Sequence, residues 1–225
     1  YLKTHGALEE YAALNVQLSD LKLKRDKLNS YEELRKLYSE KLYYLKLEMD
    51  KENLITLRYL TKEAKPVIEK NISIFKKLVN EFYENRIAGI AVTNNELFNR
   101  IRYDIRVHID GDASDGINEV KIFCFDWTLL LSKTHNIQFL FHDSRLLADM
   151  DPRQGATLLK AAYRYTQENN VQYILTINQN MLESAIKYLS EEEYQKIIKQ
   201  NIMLELTDES EYSKLLGIEV DMKYE

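Results

Sequence analysis

Three short segments in the second half of the sequence contain residue types that bind phosphate groups and their metal ions. The first is Ser114-Asp115-Gly116, a glycine-bearing loop directly before an apolar stretch. Backbone N–H groups at a helix start, together with a hydroxyl, can bind an anionic phosphate. The same residues also fit a plain strand-to-helix turn with Ser114 as the helix N-cap, and this alternative stays open.

The second segment, Phe139 to Asp143, is an apolar run that ends in a carboxylate. The third, Val171 to Ile177, is an apolar run followed by Asn178 and Gln179. In open parallel sheets, ligands collect at the carboxyl ends of the strands. Asp143 is therefore placed to hold Mg²⁺ and its water ligands. Alternatively, Asp143 caps a turn and the third segment is a core strand with a polar exit.

A largely parallel α/β layer is predicted to position these segments. Strict alternation from Ile101 to Asp110 predicts a strand with one solvent-exposed face, and Ile117 to Lys133 predicts an apolar-rich helix. The other predicted elements are a buried central strand at Ile137 to Phe141, a helix from Pro152 to Asn169 with Asp151 as N-cap, a buried strand at Val171 to Ile177, a helix opened by the Ser190 to Glu193 capping box, and late strands at Ile202 to Leu206 and Ile218 to Met222.

The first part of the sequence predicts one very long helix. From Leu8 to Phe82 there is no glycine and one proline, Pro66, and apolar residues recur at steps of three and four. Pro66 is expected to kink or restart the helix. Roughly 75 residues at about 1.5 Å each would exceed about 100 Å, so the apolar stripe needs a partner helix. We therefore predict a coiled-coil arm over residues 1–85 and a globular lobe over 86–225; an ordinary bundle helix is the alternative.

Composition excludes several other classes of protein. The chain has 225 residues, a formal net charge of -5 and a single cysteine, Cys124, so neither a disulfide framework nor a zinc site is expected. The sequence lacks an apolar run of about 20 residues, which indicates a cytoplasmic protein that does not enter a membrane. The chain opens at Tyr1 rather than at methionine, and we expect it to be the C-terminal part of a longer polypeptide.

In this order, the segments resemble the C-terminal lobe of ABC-type ATPase heads of the SMC and zinc-hook DNA-repair class. In that class a long coiled coil enters the lobe from its N-terminal side. The most similar group is a bacterial family of uncharacterised domains at the C-terminus of SMC-like coiled-coil ATPases. The resemblance covers essentially the whole chain, and its most specific residues are Phe123-Cys124-Phe125-Asp126, Phe141-His142-Asp143-Ser144, Asp151 and Gln172-Tyr173-Ile174.

The resemblance implies a role for each matching residue. Ser114 and Gly116 stand at signature-motif positions, which contact the γ-phosphate of ATP held by the opposite head. Asp143 stands at the Walker B aspartate, which orders the shell of the magnesium ion. Asp151 corresponds to the D-loop aspartate at the seam between heads. Asn178 occupies the usual place of a switch-loop histidine.

This sequence differs from the family pattern at several residues that affect ATP hydrolysis. Asp115 replaces the first of two usual glycines, and a one-residue shift would put Ile177 at the switch position. Ser144 stands where the catalytic glutamate is usual, and a hydroxyl is a poor general base at neutral pH. His142 could polarise water instead, or it faces the core. We expect slow hydrolysis, with ATP acting mainly as a clamp between heads.

The sequence contains no Gly-x-x-x-x-Gly-Lys-Ser/Thr phosphate loop. In the resembling class that loop belongs to an N-terminal lobe of the same polypeptide, so ATP and Mg²⁺ are expected only in the complete head, and this chain alone is predicted to be inactive. The resemblance further implies a homodimer through the heads and leaves room for a companion effector subunit.

The leading functional hypothesis is an ATP-dependent clamp or sensor acting on DNA in genome maintenance or phage defence. Family members bind DNA, although a net charge of -5 gives no broad cationic face. Arg100, Arg102 and Arg106 lie close together near the polar face of one predicted strand, where they form a candidate basic group or protect a solvated edge strand. The alternative hypothesis is a non-catalytic coiled-coil assembly or sensor module whose head lobe has lost ATP turnover.

Overall fold

The structure is a computed structural model that describes residues 2–96, 101–207 and 210–214, and the chain divides into two compact units, Tyr1–Thr61 and Lys62–Glu225. The first unit contains helix α1, Leu2–Arg58, of 57 residues. The predicted stripe lies along it and is exposed to solvent, as at Leu14, Leu21 and Leu28. The long helix is thus present, and its pairing with a second helix stays a prediction.

The helical pattern is interrupted close to Pro66, as predicted. A π-helical turn, Tyr59–Glu63, follows α1, and helix α2, Lys65–Phe82, begins with Pro66 in its first turn. Proline lacks an N–H group and is tolerated in the first turn, where that group would have no helical partner. Within the described residues, every helix is too short or too polar to span a bilayer.

The second unit contains an antiparallel hairpin after α2. Strand β1, Ala88–Asn94, pairs with β2, Tyr103–Ile109, so that Ala88 lies opposite Ile109. The alternation that predicted β2 is confirmed, whereas no strand was predicted at β1. Of the three arginines proposed as a basic group, Arg102 and Arg106 are described and Arg100 lies outside the described residues.

Helices α3, Asp115–Ser132, and α4, Pro152–Asn169, pack with α2 around the core of this unit. The bounds predicted for α4 are confirmed, and those predicted for α3 are within two residues. Most of the largest fully buried side chains come from these three helices, and Ile109 of β2 joins them: Phe75, Leu78, Val79, Val120, Phe123, Trp127 and Leu158. The core therefore lies on one side of the strands that carry the predicted site.

Strands β3, Phe139–His142, and β4, Gln172–Leu175, form a separate parallel pair. The prediction of a largely parallel sheet with a buried central strand was wrong in extent, because the parallel pairing among the described residues is limited to these two strands. Alternate residues such as Leu140 pack on the core, while Phe139 and Phe141 on the other face are 56% and 51% exposed.

Short elements complete the unit. They are a 3₁₀ helix, Ser144–Leu147, helix α5, Gln179–Ile186, helix α6, Glu191–Glu193, a π-helical turn, Tyr194–Lys199, and a 3₁₀ turn, Glu211–Ser213. The strand predicted at Ile202 to Leu206 was wrong, because this exposed segment pairs with no strand among the described residues. The strand predicted at Ile218 to Met222 lies outside the described residues.

Candidate functional site

Asp143 directly follows β3 and is exposed to solvent. Its Oδ1 accepts a hydrogen bond from the backbone N–H of Arg145 at 3.1 Å, and its Oδ2 accepts one from the Thr176 hydroxyl at 3.0 Å. These bonds, first the Arg145 amide and then the Thr176 hydroxyl, hold the pKa of Asp143 below its usual value. Asp143 is therefore ionised at neutral pH, at the carboxyl end of a parallel strand.

Thr176 connects the two strand ends and was missed by the sequence-based prediction. Its backbone N–H donates to the carbonyl of His142 at 3.1 Å, which extends the pairing of β3 and β4 by one step. Its hydroxyl donates to Asp143 and accepts from the backbone N–H of Ser144 at 3.1 Å. The only sequence signal for this role is that Thr176 is the first polar residue after β4.

The chemistry of Asp143 fits a magnesium ion. A carboxylate has about four lone-pair sites, so the backbone donor of Arg145 and the side-chain donor of Thr176 leave room for a further ligand. Among the described residues, no group of three or more histidine, cysteine, aspartate or glutamate side chains is close enough to hold a metal. Mg²⁺ is commonly held by one or two carboxylates together with water and substrate phosphates, so a single exposed aspartate suits it.

His142 faces the core and is only 8% exposed. Its Nδ1 lies 2.9 Å from the Tyr173 hydroxyl and its Nε2 lies 3.0 Å from Oδ2 of Asp126. Burial, followed by the charge of Asp126, raises the pKa of Tyr173, so the phenol keeps its proton and can donate to Nδ1. Nε2–H then donates to Asp126. Both ring nitrogens are engaged, which is the core-facing arrangement rather than one that polarises water.

Ser114 and Gly116 lie at the start of α3. Ser114 is the N-cap by backbone conformation, yet its exposed side chain makes no capping hydrogen bond. Gly116 is buried, and a Cβ atom added to it would lie 2.7 Å from the backbone oxygen of Asp149. The glycine thus allows close approach between the helix start and the segment before α4.

Asp151 caps α4 in a complete capping box. Its Oδ1 accepts from the backbone N–H groups of Arg153 at 2.8 Å and Gln154 at 3.0 Å, and its own N–H donates to Oε1 of Gln154 at 2.8 Å. Asn178 is the N-cap of α5 by backbone conformation; its exposed side chain makes no capping bond. The structure therefore brings the predicted residues Asp143 and Ser144 together with Thr176 and turns His142 towards the core. The remaining predicted residues lie at helix starts: Ser114, Gly116, Asp151 and Asn178.

The start of α3 carries an acidic group. The pKa of Glu119 is raised by burial and then by the negative charge of Asp149, with Asp115 adding to the effect and Arg145 opposing it. Negative side chains stabilise a helix N-terminus, yet they repel one another when they crowd together. The neighbouring carboxylates at the start of α3 thus oppose the ionised form of Glu119.

Comparison with known proteins gives three findings. No curated protein matches the chain. A solved structure described as "Structural biochemistry of ATP-driven dimerization and DNA stimulated activation of SMC ATPases" is similar at 16% identity and a TM-score of 0.39, over 54% of this chain and 75% of that chain. The profile of a bacterial family matches residues 78–220, more than half of the chain. The chain therefore belongs to the family described as "Uncharacterised protein conserved in bacteria (DUF2326)".

Proposed function

We propose that this chain is the C-terminal part of an SMC-like ABC-type ATPase that binds ATP between paired heads. The observation that carries the proposal is the placement of Asp143, an ionised and exposed carboxylate at the carboxyl end of a parallel strand pair. A Walker B aspartate needs these properties, because it must reach the shell of a magnesium ion at the rim of the sheet.

The exposed face of the β3–β4 pair supports an incomplete head. Phe139 and Phe141 on β3 and Ile174 on β4 present apolar side chains to solvent next to Asp143. A patch of large apolar side chains on a sheet face is typical of a surface that another layer covers. We assign this face to the N-terminal lobe of the same polypeptide, which would also supply the phosphate loop.

The start of α3 supports a signature role. The Ser114 hydroxyl is exposed at the N-terminus of an 18-residue helix, where the helix dipole favours a negative group. Gly116 packs against Asp149, two residues before the D-loop candidate Asp151, so the starts of α3 and α4 lie close together. In a pair of heads, the start of α3 would meet the ATP held by the opposite head.

Asp143 and Ser114 would then have different roles in ATP binding. Asp143 would hold Mg²⁺ and its water ligands through its carboxylate, and Ser114 would donate its hydroxyl to a phosphate of the ATP held by the opposite head. When bound, Mg²⁺ neutralises charge on the phosphoryl group that is transferred. Ser144 is a poor base and His142 is turned inward, so neither of the two residues that flank Asp143 is placed to act as a strong base. Slow turnover, with ATP as a clamp that joins two heads, follows from that arrangement.

The proposed physiological role is action on DNA in genome maintenance or phage defence. It rests on the resemblance to SMC-like proteins. The alternative function is a non-catalytic coiled-coil assembly or sensor module, with α1 as the assembly element. The inward orientation of His142 and the presence of Ser144 favour this alternative, because both remove a base from the site.

The test uses the full polypeptide, including its phosphate-loop lobe, and measures ATP binding and phosphate release with and without DNA. We expect slow release in the wild type, abolished by Asp143→Asn and unchanged by Asp110→Asn, a matched change at an exposed aspartate after β2. ATP binding without release would support the non-catalytic alternative. A wild type that does not bind ATP, or release that survives Asp143→Asn, would contradict the ATPase proposal.

A further inference from the structure

We propose that Thr176 is a positioning residue that fixes Asp143 and Ser144 relative to each other; its importance for magnesium rests on the proposed function. The hydroxyl of Thr176 is the atom on which the arrangement depends. It donates its single proton to Oδ2 of Asp143 at 3.0 Å and accepts the backbone N–H of Ser144 at 3.1 Å. One side chain therefore holds both the carboxylate and the residue that follows it.

The two oxygens of Asp143 have different partners, and this determines what Thr176 contributes. Oδ1 is held by the local backbone of Arg145, two residues away, as in any capped turn. Oδ2 is held by Thr176, 33 residues away in sequence. The Arg145 bond restrains Oδ1 alone. The Thr176 bond restrains Oδ2 as well, so both oxygens are held and the carboxylate presents a fixed direction to a ligand.

Thr176 also connects the end of β4 to the end of β3 through its backbone. Its backbone N–H donates to the carbonyl of His142, the residue before Asp143. Thr176 lies two residues before Asn178, the candidate switch position at the start of α5. A displacement of the segment leading to Asn178 therefore acts on Asp143 through a side-chain and a backbone bond at once. The Thr176 contacts link the switch segment to the proposed magnesium ligand.

A purely structural role predicts a different outcome from a positioning role. Thr176 is exposed, so replacement by valine keeps a similar shape and lets water reach the two groups that lose their partner. The fold is therefore expected to survive this change. What is lost is the fixed direction of the carboxylate, and groups that orient a metal ligand typically contribute about 10- to 100-fold to metal affinity when removed.

The experiment compares Thr176→Val and Thr176→Ser in the full polypeptide. Thr166→Val serves as a matched control, because the Thr166 hydroxyl bonds the Tyr163 carbonyl within α4. The first readout, without nucleotide, is amide hydrogen exchange of peptides that contain Ser144. The second is the Mg²⁺ concentration for half-maximal binding of ATP, with phosphate release followed in parallel. Serine keeps the hydroxyl and should behave as the wild type.

We expect Thr176→Val to accelerate exchange at Ser144 and to raise the Mg²⁺ requirement about tenfold, with both effects absent in Thr176→Ser and Thr166→Val. Unchanged exchange in Thr176→Val would overturn the proposed contact. Faster exchange with an unchanged Mg²⁺ requirement would overturn the positioning role. If the wild type does not bind ATP, the proposed function fails, and the exchange measurement still decides whether Thr176 holds Asp143 and Ser144 together.

Discussion

Gly116 at the start of α3 lies against the backbone of Asp149, close enough that a Cβ atom on Gly116 would be 2.7 Å from the Asp149 oxygen. The second neighbour of that Cβ position is Oε1 of Gln154 at 3.2 Å, the same oxygen that accepts the Asp151 N–H. The helix start, the segment before α4 and the α4 capping box are thus packed as one structure. Gly116 acts here through its size.

Replacing Gly116 with alanine should destabilise the second unit. The nearest obstacle is a backbone oxygen, which cannot rotate away, so the segment around Asp149 must shift. Inserting a methyl group into a packed site typically costs about 1–3 kcal/mol. Urea denaturation of Gly116→Ala measures the loss. Gly89→Ala in β1 is the matched control, because nothing lies within 4 Å of its Cβ position; equal effects of the two changes would contradict the packing argument.

The carboxylate of Asp151 has a structural role that can be separated from a role at a seam between heads. Asp151→Ala removes the acceptor for the Arg153 and Gln154 amides and should cost about 1 kcal/mol. Asp151→Asn keeps an oxygen that can accept these bonds and should be close to the wild type in thermal or urea unfolding.

The asparagine variant separates the effect of the Asp151 charge from the effect of its capping hydrogen bonds. If Asp151 acts at a seam between heads, Asp151→Asn in the full polypeptide should weaken ATP-dependent dimerisation, measured by light scattering, without loss of stability. A destabilised Asp151→Asn would show that the charge itself holds α4, through Arg153 at 3.5 Å.

Features set by local sequence were predictable. The Asp151-Pro152 start of α4 and the capping box of Ser190 and Glu193 depend on residues within four positions, and the structure has both. Asp143 was likewise identified from a run of apolar residues that ends in a carboxylate. The backbone conformation at each of these residues is determined by its immediate neighbours in the sequence.

Features set by tertiary pairing were not predictable. The run from Ile137 to Phe141 indicates a strand, but an apolar run carries no information on whether a further layer covers its second face. The segment Ile202 to Leu206 has the same kind of run, yet in the part of the chain that the structure describes it pairs with no strand. The bond from Thr176 to Asp143 depends on the register of β3 and β4, which aligns His142 with Leu175.

Glu119 should make the stability of the second unit depend on pH in an unusual direction. Burial and the charge of Asp149 raise its pKa above 4.5, so the native state binds this proton more tightly than the unfolded chain. Stability contributed by this group is therefore lost as the pH rises from 4.5 through the raised value. Glu119→Gln should increase the free energy of unfolding at neutral pH and flatten the pH dependence over that interval.

Urea denaturation at a series of pH values tests this prediction. Glu84→Gln, a change at an exposed glutamate of the same unit, is the control for the loss of one carboxylate. A less stable Glu119→Gln at neutral pH would mean that the carboxylate makes a favourable interaction at the start of α3, for example with Arg145, that outweighs its burial.

The bond between His142 and Tyr173 decides whether His142 belongs to the core or to the chemistry. Tyr173→Phe keeps the ring and removes only the hydroxyl that lies 2.9 Å from Nδ1 of His142. It should cost about 1–3 kcal/mol, because a buried imidazole nitrogen loses its partner. In a His142→Ala background the same change should cost much less, giving a coupling energy of about 1–2 kcal/mol in a double-mutant cycle.

Tyr188→Phe, at an exposed tyrosine after α5, is the matched control and should show no coupling to His142→Ala. The urea-unfolding cycle discriminates between the two roles because an imidazole held at Nδ1 by Tyr173 and at Nε2 by Asp126 has no nitrogen left to take a proton from water. Strong coupling therefore assigns His142 to the core. Additive effects would mean that Nδ1 of His142 makes no bond to Tyr173 in solution. His142 would then remain a candidate for the base that Ser144 does not supply.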